Sequence, residues 1–340
     1  MTGTLAVDPV SLSAAGTSIA AVGDELQAAL GTLTEVYNAN TGQDPAGTAF
    51  GFAYQGSAHA LVQAVASGVN AIRRTGYLVQ GSATNYSRAE AAADISGGAT
   101  PLPAPPLPTE YPTPTGDPDV NGPGQSPPVL WYLVEFFVGE LWPNGNPGEL
   151  RSAAGSWRAF AAPLYHVTGD NAGPYATIGA QRIPERESMQ ATVRDIGTAM
   201  SAIAGDSQTL AGHLDHFAAD VENTQNAVRD LLDKLRSVVS KGAAGMVFEL
   251  STGDAEEKIR EVAQDIKLVI ANHKRQSQAR KELIAKLEEN IKSYSRGLQI
   301  LIRRELVEVF GFLPIGVVGL RRMESVRSSV TQRIKADKSE

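Results

Sequence analysis

Along residues 184–239, apolar or small side chains recur at Met189, Val193, Ile196, Met200, Ile203, Leu210, Leu214, Phe217, Val221, Val228, Leu231, Leu235 and Val238. The steps alternate between four and three, the seam of a long helix packed lengthwise on other helices. Ser207 and Thr224 interrupt that seam without stopping a helix, and Pro184 suits a first turn. At ~1.5 Å per residue the pattern predicts a rod of roughly 80 Å, which needs partners along its length.

Two shorter seams precede the rod. Leu12, Ala15, Ile19, Val22, Leu26, Leu30, Leu33 and Val36 mark one helix, opened by Asp8-Pro9. After the turn Asn38-Ala39-Asn40-Thr41-Gly42, Asp44-Pro45 opens a second, with a seam at Phe50, Tyr54, Leu61, Val65, Val69, Ile72, Val79, Ala83 and Tyr86. Two long helices on a short turn predict an antiparallel hairpin. A shorter helix is expected over residues 148–167, kinked or ended by Pro163, with a loop at 169–174 leading into the rod. Beyond the glycines at 242, 245 and 253, Asp254 caps a last long seam: Ile259, Val262, Ile266, Val269, His273, Gln276, Arg280, Leu283, Leu287, Ile291, Tyr294, Leu298 and Leu301. Its polar middle fits a register-setting patch, a partner site, a water-lined path or a frayed stretch.

Eleven of the chain's 19 prolines lie in residues 101–128, a composition that favours extended polyproline II and a spacer role. The stretch that follows is the most apolar of the chain and carries Trp131, Tyr132, Phe136, Phe137 and Trp142. It is too short for a bilayer span, so it reads as a short helix on the second hairpin or, alternatively, as a membrane or partner contact. Residues 309–320 are apolar but broken by Gly and Pro, and a basic tail follows. A packed cap or a membrane-inserting hairpin would both fit.

Charge divides the chain. Residues 1–250 carry 12 basic and 24 acidic side chains, and residues 251–340 carry 18 and 13, for a total of -7. An acidic body argues against nucleic acid as the main partner. The absence of cysteine removes disulfide scaffolds and thiolate metal sites. The first ten residues have neither a basic nor an apolar signal-peptide region, so a cleavable Sec signal is not expected.

Tyr86 and Glu90 stand four apart near the end of the second helix, hence on one face. On spacing alone they are an interfacial tyrosine beside a solvated carboxylate. In context, a helical hairpin ending in Tyr-x-x-x-Glu resembles the substrates of actinobacterial type VII (ESX) secretion systems. That resemblance implies that Tyr86 and Glu90 form part of the signal read by the secretion ATPase. The runs Asp44-Pro45-Ala46-Gly47-Thr48-Ala49-Phe50-Gly51, Asn85-Tyr86-Ser87-Arg88-Ala89-Glu90-Ala91 and Leu141-Trp142-Pro143-Asn144-Gly145 narrow it further. They are similar to the amino-terminal region of the mycobacterial outer-membrane channel and necrosis-inducing toxin family. This implies a secreted helical targeting or delivery region, or alternatively a channel-forming, membrane-active one. It also implies small WXG100-type helical partners and a location outside the cell or in the outer membrane. The family's NAD hydrolysis belongs to a separate domain and is not carried over to this chain. The Trp-x-Gly of the small hairpin proteins does not occur here, since Trp157 falls inside a predicted helix.

No Gly-rich phosphate loop, Gly-x-Ser-x-Gly or His-Glu-x-x-His is present, so no enzyme activity and no cofactor are expected. His213 and His216 could share a metal but lack an obvious third ligand, and a solvated helix face is the expected reading. The predicted fold is all-α: tandem long antiparallel hairpins (WXG100/PE-PPE-like) in an elongated bundle. Residues 1–96 would form the first hairpin, 97–128 the Pro-rich linker and 129–250 the second hairpin. Residues 251–308 would add a third long helix on the second hairpin, and 309–340 the apolar segment and basic tail.

Overall fold

The structure, a computed structural model, describes residues 6–242 and 253–308. The apolar segment expected at 309–320, the tail and the connection at 243–252 lie outside the described residues. Among the described residues seven helices succeed one another: α1 (Pro9–Val36), α2 (Pro45–Ala93), α3 (Trp131–Val138), α4 (Pro147–Asp170), α5 (Ala172–Ala180), α6 (Arg186–Gly242) and α7 (Gly253–Glu308). Among the described residues no strand forms; Ala6 and Arg182 make an isolated bridge. The fold is all-α and built on long helices.

The helix starts follow the Asp-Pro reading. The carboxylates of Asp8 and Asp44 each accept two N–H groups of the first turn, and proline follows each cap. Asn146-Pro147 does the same for α4, with the asparagine side chain accepting from Gly148 and Glu149 N–H. α1 and α2 close into a hairpin whose helices nearly touch where Gly16 meets Gly76. A Cβ on Gly16 would lie 2.6 Å from the Gly76 carbonyl oxygen, and one on Gly76 would lie 2.5 Å from that of Gly16. Only hydrogen side chains permit that approach.

α2 is the central element. It packs extensively on both α1 and α7 and less so on α6, so its buried residues cover more than one face. Ser57 Oγ donates to the Ile284 carbonyl at 3.1 Å, and Ser277 Oγ donates to that of Ala46 at 2.8 Å. These contacts set α7 running parallel to α2. Phe50 of α2 stacks on Phe217 of α6, with centroids 3.9 Å apart. Trp157 of α4 is fully buried, and its Nε1 donates to Tyr54 Oη at 2.9 Å. The Tyr54 hydroxyl in turn donates to the Tyr37 carbonyl, so a buried polar chain joins α1, α2 and α4. A smaller apolar cluster joins α3 to the far part of α6 and the first part of α7.

Three expectations change. Pro163 neither ends nor breaks α4, which continues to Asp170. The residue whose carbonyl it deprives, Ala159, sits on the exposed side of the helix, open to solvent. The loop expected at 169–174 shrinks to Asn171 between α4 and α5, because Pro174 falls in a first turn where its missing N–H has no helical partner to lose. The buried stripe of α7 is shifted by one residue at alternate positions: Ala263, Ile270, Ser277 and Ile284 are buried, whereas Gln276 and Leu283 are exposed. At two of these positions, Ala263 and Ser277, it is a small side chain that faces the neighbouring helices.

The Pro-rich stretch does not swing free. It runs back along α2 as an extended strap, with Leu102 N donating to Ser87 Oγ and Arg73 Nη1 to the Thr109 carbonyl. Asn70 Nδ2 donates to the Tyr111 carbonyl, and Gln55 Nε2 to that of Pro118. Residues 102 to 118 of an extended polyproline chain span ~50 Å at 3.1 Å each, and residues 87 to 55 of a helix span ~48 Å at 1.5 Å each. The two rises match at one strap residue per two helix residues.

Candidate functional site

The last turns of α2 outlast their neighbours. Residues 81–84 are buried, 85–87 half-buried, and 88–90 exposed. Tyr86 is the last large side chain of α2 packed against the core. Its hydroxyl donates to Glu185 Oε2 at 3.0 Å, and the hydroxyl of Ser82, one turn earlier, donates to Glu185 Oε1 at 2.6 Å. Burial, and then the Glu185 charge, push the Tyr86 phenol above its ordinary value. Glu185 stands just before α6, and its carbonyl accepts Met189 N at 3.0 Å. Its side chain, instead of capping α6, reaches across to α2.

The strap holds the same turns from another side. Thr84 Oγ1 donates to the Pro103 carbonyl at 2.9 Å, and Ser87 Oγ accepts Leu102 N at 2.9 Å. Of the two expected signal residues, Glu90 is fully at the surface one turn beyond Tyr86, whose ring is partly covered. Glu185 and Ser82 were not legible as part of this arrangement. The Tyr86–Glu185 bond joins residues 99 apart, and nothing in the intervening sequence marks it.

The aromatic candidates separate. Trp131 and Trp142 are buried against each other, with centroids 5.6 Å apart. Trp142 Nε1 donates to the Gln125 carbonyl, and the Arg229 guanidinium lies 5.6 Å over its ring. Phe137 is partly covered beneath Arg260. Tyr132 and Phe136, four apart on α3, are the exposed pair, at 60% and 86%. Val129 and Leu141 are exposed beside them in sequence. Only this subset is available to a membrane or partner.

His213 and His216 lie on α6, where burial, then the charges of Arg280 and His216, lower the His213 pKa. Among the described residues, no group of three or more His, Asp or Glu side chains is placed to hold a metal. His273, in the polar part of the α7 seam, is buried and stacks on Phe217 with centroids 5.8 Å apart. Neither of its ring nitrogens has a protein partner. Among the described residues, no helix is long and apolar enough to cross a membrane.

No known family model matches the chain. Over 271 residues, 78% of its length, the chain is 37% identical to the outer membrane channel protein CpnT of Mycobacterium tuberculosis (strain ATCC 25618 / H37Rv) and to that of Mycobacterium bovis (strain BCG / Pasteur 1173P2). The chain is a relative of CpnT. The resemblance read from the hairpin and its flanks therefore holds. The match spans 32% of CpnT, so the chain covers about a third of these curated relatives. A third relative is Mav of Mycobacterium avium (strain 104), 33% identical over 277 residues, 80% of this chain and 33% of Mav.

Mav corrects one expectation. Its name assigns it a provisional NAD(+)–arginine ADP-ribosyltransferase activity, which contradicts the expectation of no enzyme activity. The motifs used for that inference belong to phosphate loops, serine hydrolases and zinc proteases, and say nothing about transfer from NAD(+). Among solved structures, EspB from the ESX-1 type VII secretion system is similar with a TM-score of 0.48 at 13% identity, covering 81% of this chain and 94% of EspB. A mycobacterial protein follows at 0.45 and 12%, covering 78% and 89%. Both are loose likenesses.

Proposed function

We propose that the chain is the helical targeting and delivery region of a type VII secretion substrate. The observation that carries this reading is the placement of Tyr86 and Glu90 where α2 emerges from the bundle. Tyr86 anchors the emerging turns and Glu90 faces solvent one turn on, so a folded chain presents a helical epitope to a secretion ATPase. The relationship to a protein named as an outer membrane channel supports export to the cell surface or beyond. Small WXG100-type helical proteins are the expected companions, since they offer hairpins of the same build. The parts are then the hairpin of residues 1–96 with its signal, the strap of 97–128, the second hairpin of 129–250, the long helix of 251–308 and the end segment of 309–340.

The test is export from an actinobacterial host. Tyr86→Ala should leave intracellular amount and helicity near wild type and lower the secreted fraction. Undiminished secretion of this variant would remove the signal assignment.

A second reading, channel formation, is favoured by the relatives' name and by the exposed Tyr132 and Phe136. Leakage of dye from liposomes on adding the purified chain, alone or with small hairpin proteins, would support it, and tight liposomes would count against it.

A further inference from the structure

We propose that Glu185 is a positioning residue for the export element, making presentation of Glu90 depend on the second hairpin being docked. This rests on the reading of Tyr86 and Glu90 given above. A helix that projects beyond its packing partners can twist and fray about its last anchored residue. Here the last anchored side chain is Tyr86, and what holds its polar end is the Glu185 carboxylate. That carboxylate has two oxygens and uses one for Tyr86 and the other for Ser82. Two attachments one turn apart on α2 fix the helix in rotation as well as position.

The consequence reaches Glu90 through helix geometry alone. Residues 82, 86 and 90 lie four apart, so they form one row along the helix. Holding the first two against the start of α6 points the third along the same edge, beside the start of α6. The strap holds Thr84 and Ser87 from a different direction, which leaves the row itself open beyond Tyr86. Glu185 belongs to the second hairpin and Tyr86 to the first. A partner that reads the row therefore reads a chain whose two hairpins have come together, and a chain not yet docked offers the same residues without the fixed orientation. The partner this fits is a folded, basic or hydrogen-bond-donating surface able to contact a helix edge carrying a carboxylate.

The test is a set of variants in the full chain, with secreted and cell-retained fractions measured together. Tyr86→Phe should lower the secreted fraction by roughly ten-fold, the loss of one hydrogen bond to a charged group, and Glu185→Ala, which loses the Ser82 bond as well, by at least as much. The double variant should be no worse than Glu185→Ala alone. Glu185→Gln should restore most of the export, because its amide oxygen still accepts from Tyr86. Titrating the Tyr86 phenol by NMR gives a second readout: in Glu185→Ala it should move down toward the ordinary tyrosine range.

Wild-type export of Glu185→Ala, with Tyr86→Ala still impaired, would overturn the positioning role and leave the export element standing. Wild-type export of Tyr86→Ala would overturn both. If Glu185→Ala does not fold, Tyr86→Phe decides the matter, since it removes a single hydroxyl. Normal export of that variant would sink the proposal.

Discussion

At the scale of single residues, a buried histidine and a half-buried carboxylate make stability depend on pH in opposite directions. His273 is buried among Phe217, Asp44, Asp220 and the Arg280 that pairs with Asp220 at 2.7 Å. Desolvation lowers its pKa, and the pull of Asp44 and Asp220 offsets this only in part. As pH falls through about 6.5, the unfolded chain takes this proton before the folded one does. The contribution is therefore fully present above that pH and is lost below it. His273→Leu should raise stability by about 1–3 kcal/mol near pH 5, the cost of an unpartnered buried polar group, and flatten the acid limb of a urea-denaturation series. Asp206 behaves in the other sense, because burial pushes its carboxyl up to about 6. The folded chain takes that proton first, so stability rises as pH falls from about 6 toward 4. Asp206→Asn should remove this rise and modestly stabilise the protein at pH 7, as read by Tm across the same pH range. Neither group's surroundings can be read from the sequence. A histidine in a seam is visible, but whether it meets a carboxylate or a phenyl ring is decided by α6.

At the scale of elements, the glycine contact between α1 and α2 makes a sharp demand. Gly16→Ala places a methyl group against backbone, which cannot rotate away as a side chain could. It should destabilise the hairpin by about 1–3 kcal/mol, the usual cost of overfilling a packed contact, despite alanine's higher helix propensity. Gly31→Ala has open space and should be neutral or stabilising, which makes it the matched control in thermal melts. Much at this scale was legible. The α6 seam from Met189 to Leu235 is buried nearly as read, because a strict four-three rhythm leaves little choice of face. Val36, by contrast, continues the α1 rhythm yet is half exposed, and Tyr37 beside it is buried. The helix ends there, and past its end the rhythm no longer governs direction. The α7 stripe slipped for a related reason: where Ser277 and Ala263 face α2 and α6, hydrophobicity is a poor guide to which side is inside. Close helix approach selects small residues there instead.

At the scale of the whole molecule, α2 belongs to both halves. Its Phe50 and Tyr54 pack with Phe217 and Trp157, which come from α6 and α4. Trp157→Ala should then cost about 3–5 kcal/mol and lower the melting of both hairpins together, measured with probes in α1 and in α6. Two separate transitions would show that the hairpins melt on their own. The strap shares in this unity. Its prolines limit the unfolded chain more than the folded one, so replacing Pro103 and Pro105 by glycine should cost roughly 0.4–1 kcal/mol each without removing a core contact. The composition announced an extended segment correctly. It could not announce that the segment lies down, because the anchoring side chains, Ser87, Asn70 and Gln55, look like ordinary polar positions on a helix.

The matched rises of strap and helix carry a consequence for how such chains can change in length. A helix tolerates insertions in steps of about seven residues, two turns, since other lengths rotate every side chain beyond off its face. Two added turns lengthen α2 by roughly 10 Å, which an extended polyproline chain spans with three or four residues. Across descendants of this architecture, insertions in the first hairpin and in the Pro-rich segment should arrive as linked pairs, in a ratio near two to one. A lineage that lengthened only one of them would have had to let the other buckle or peel away.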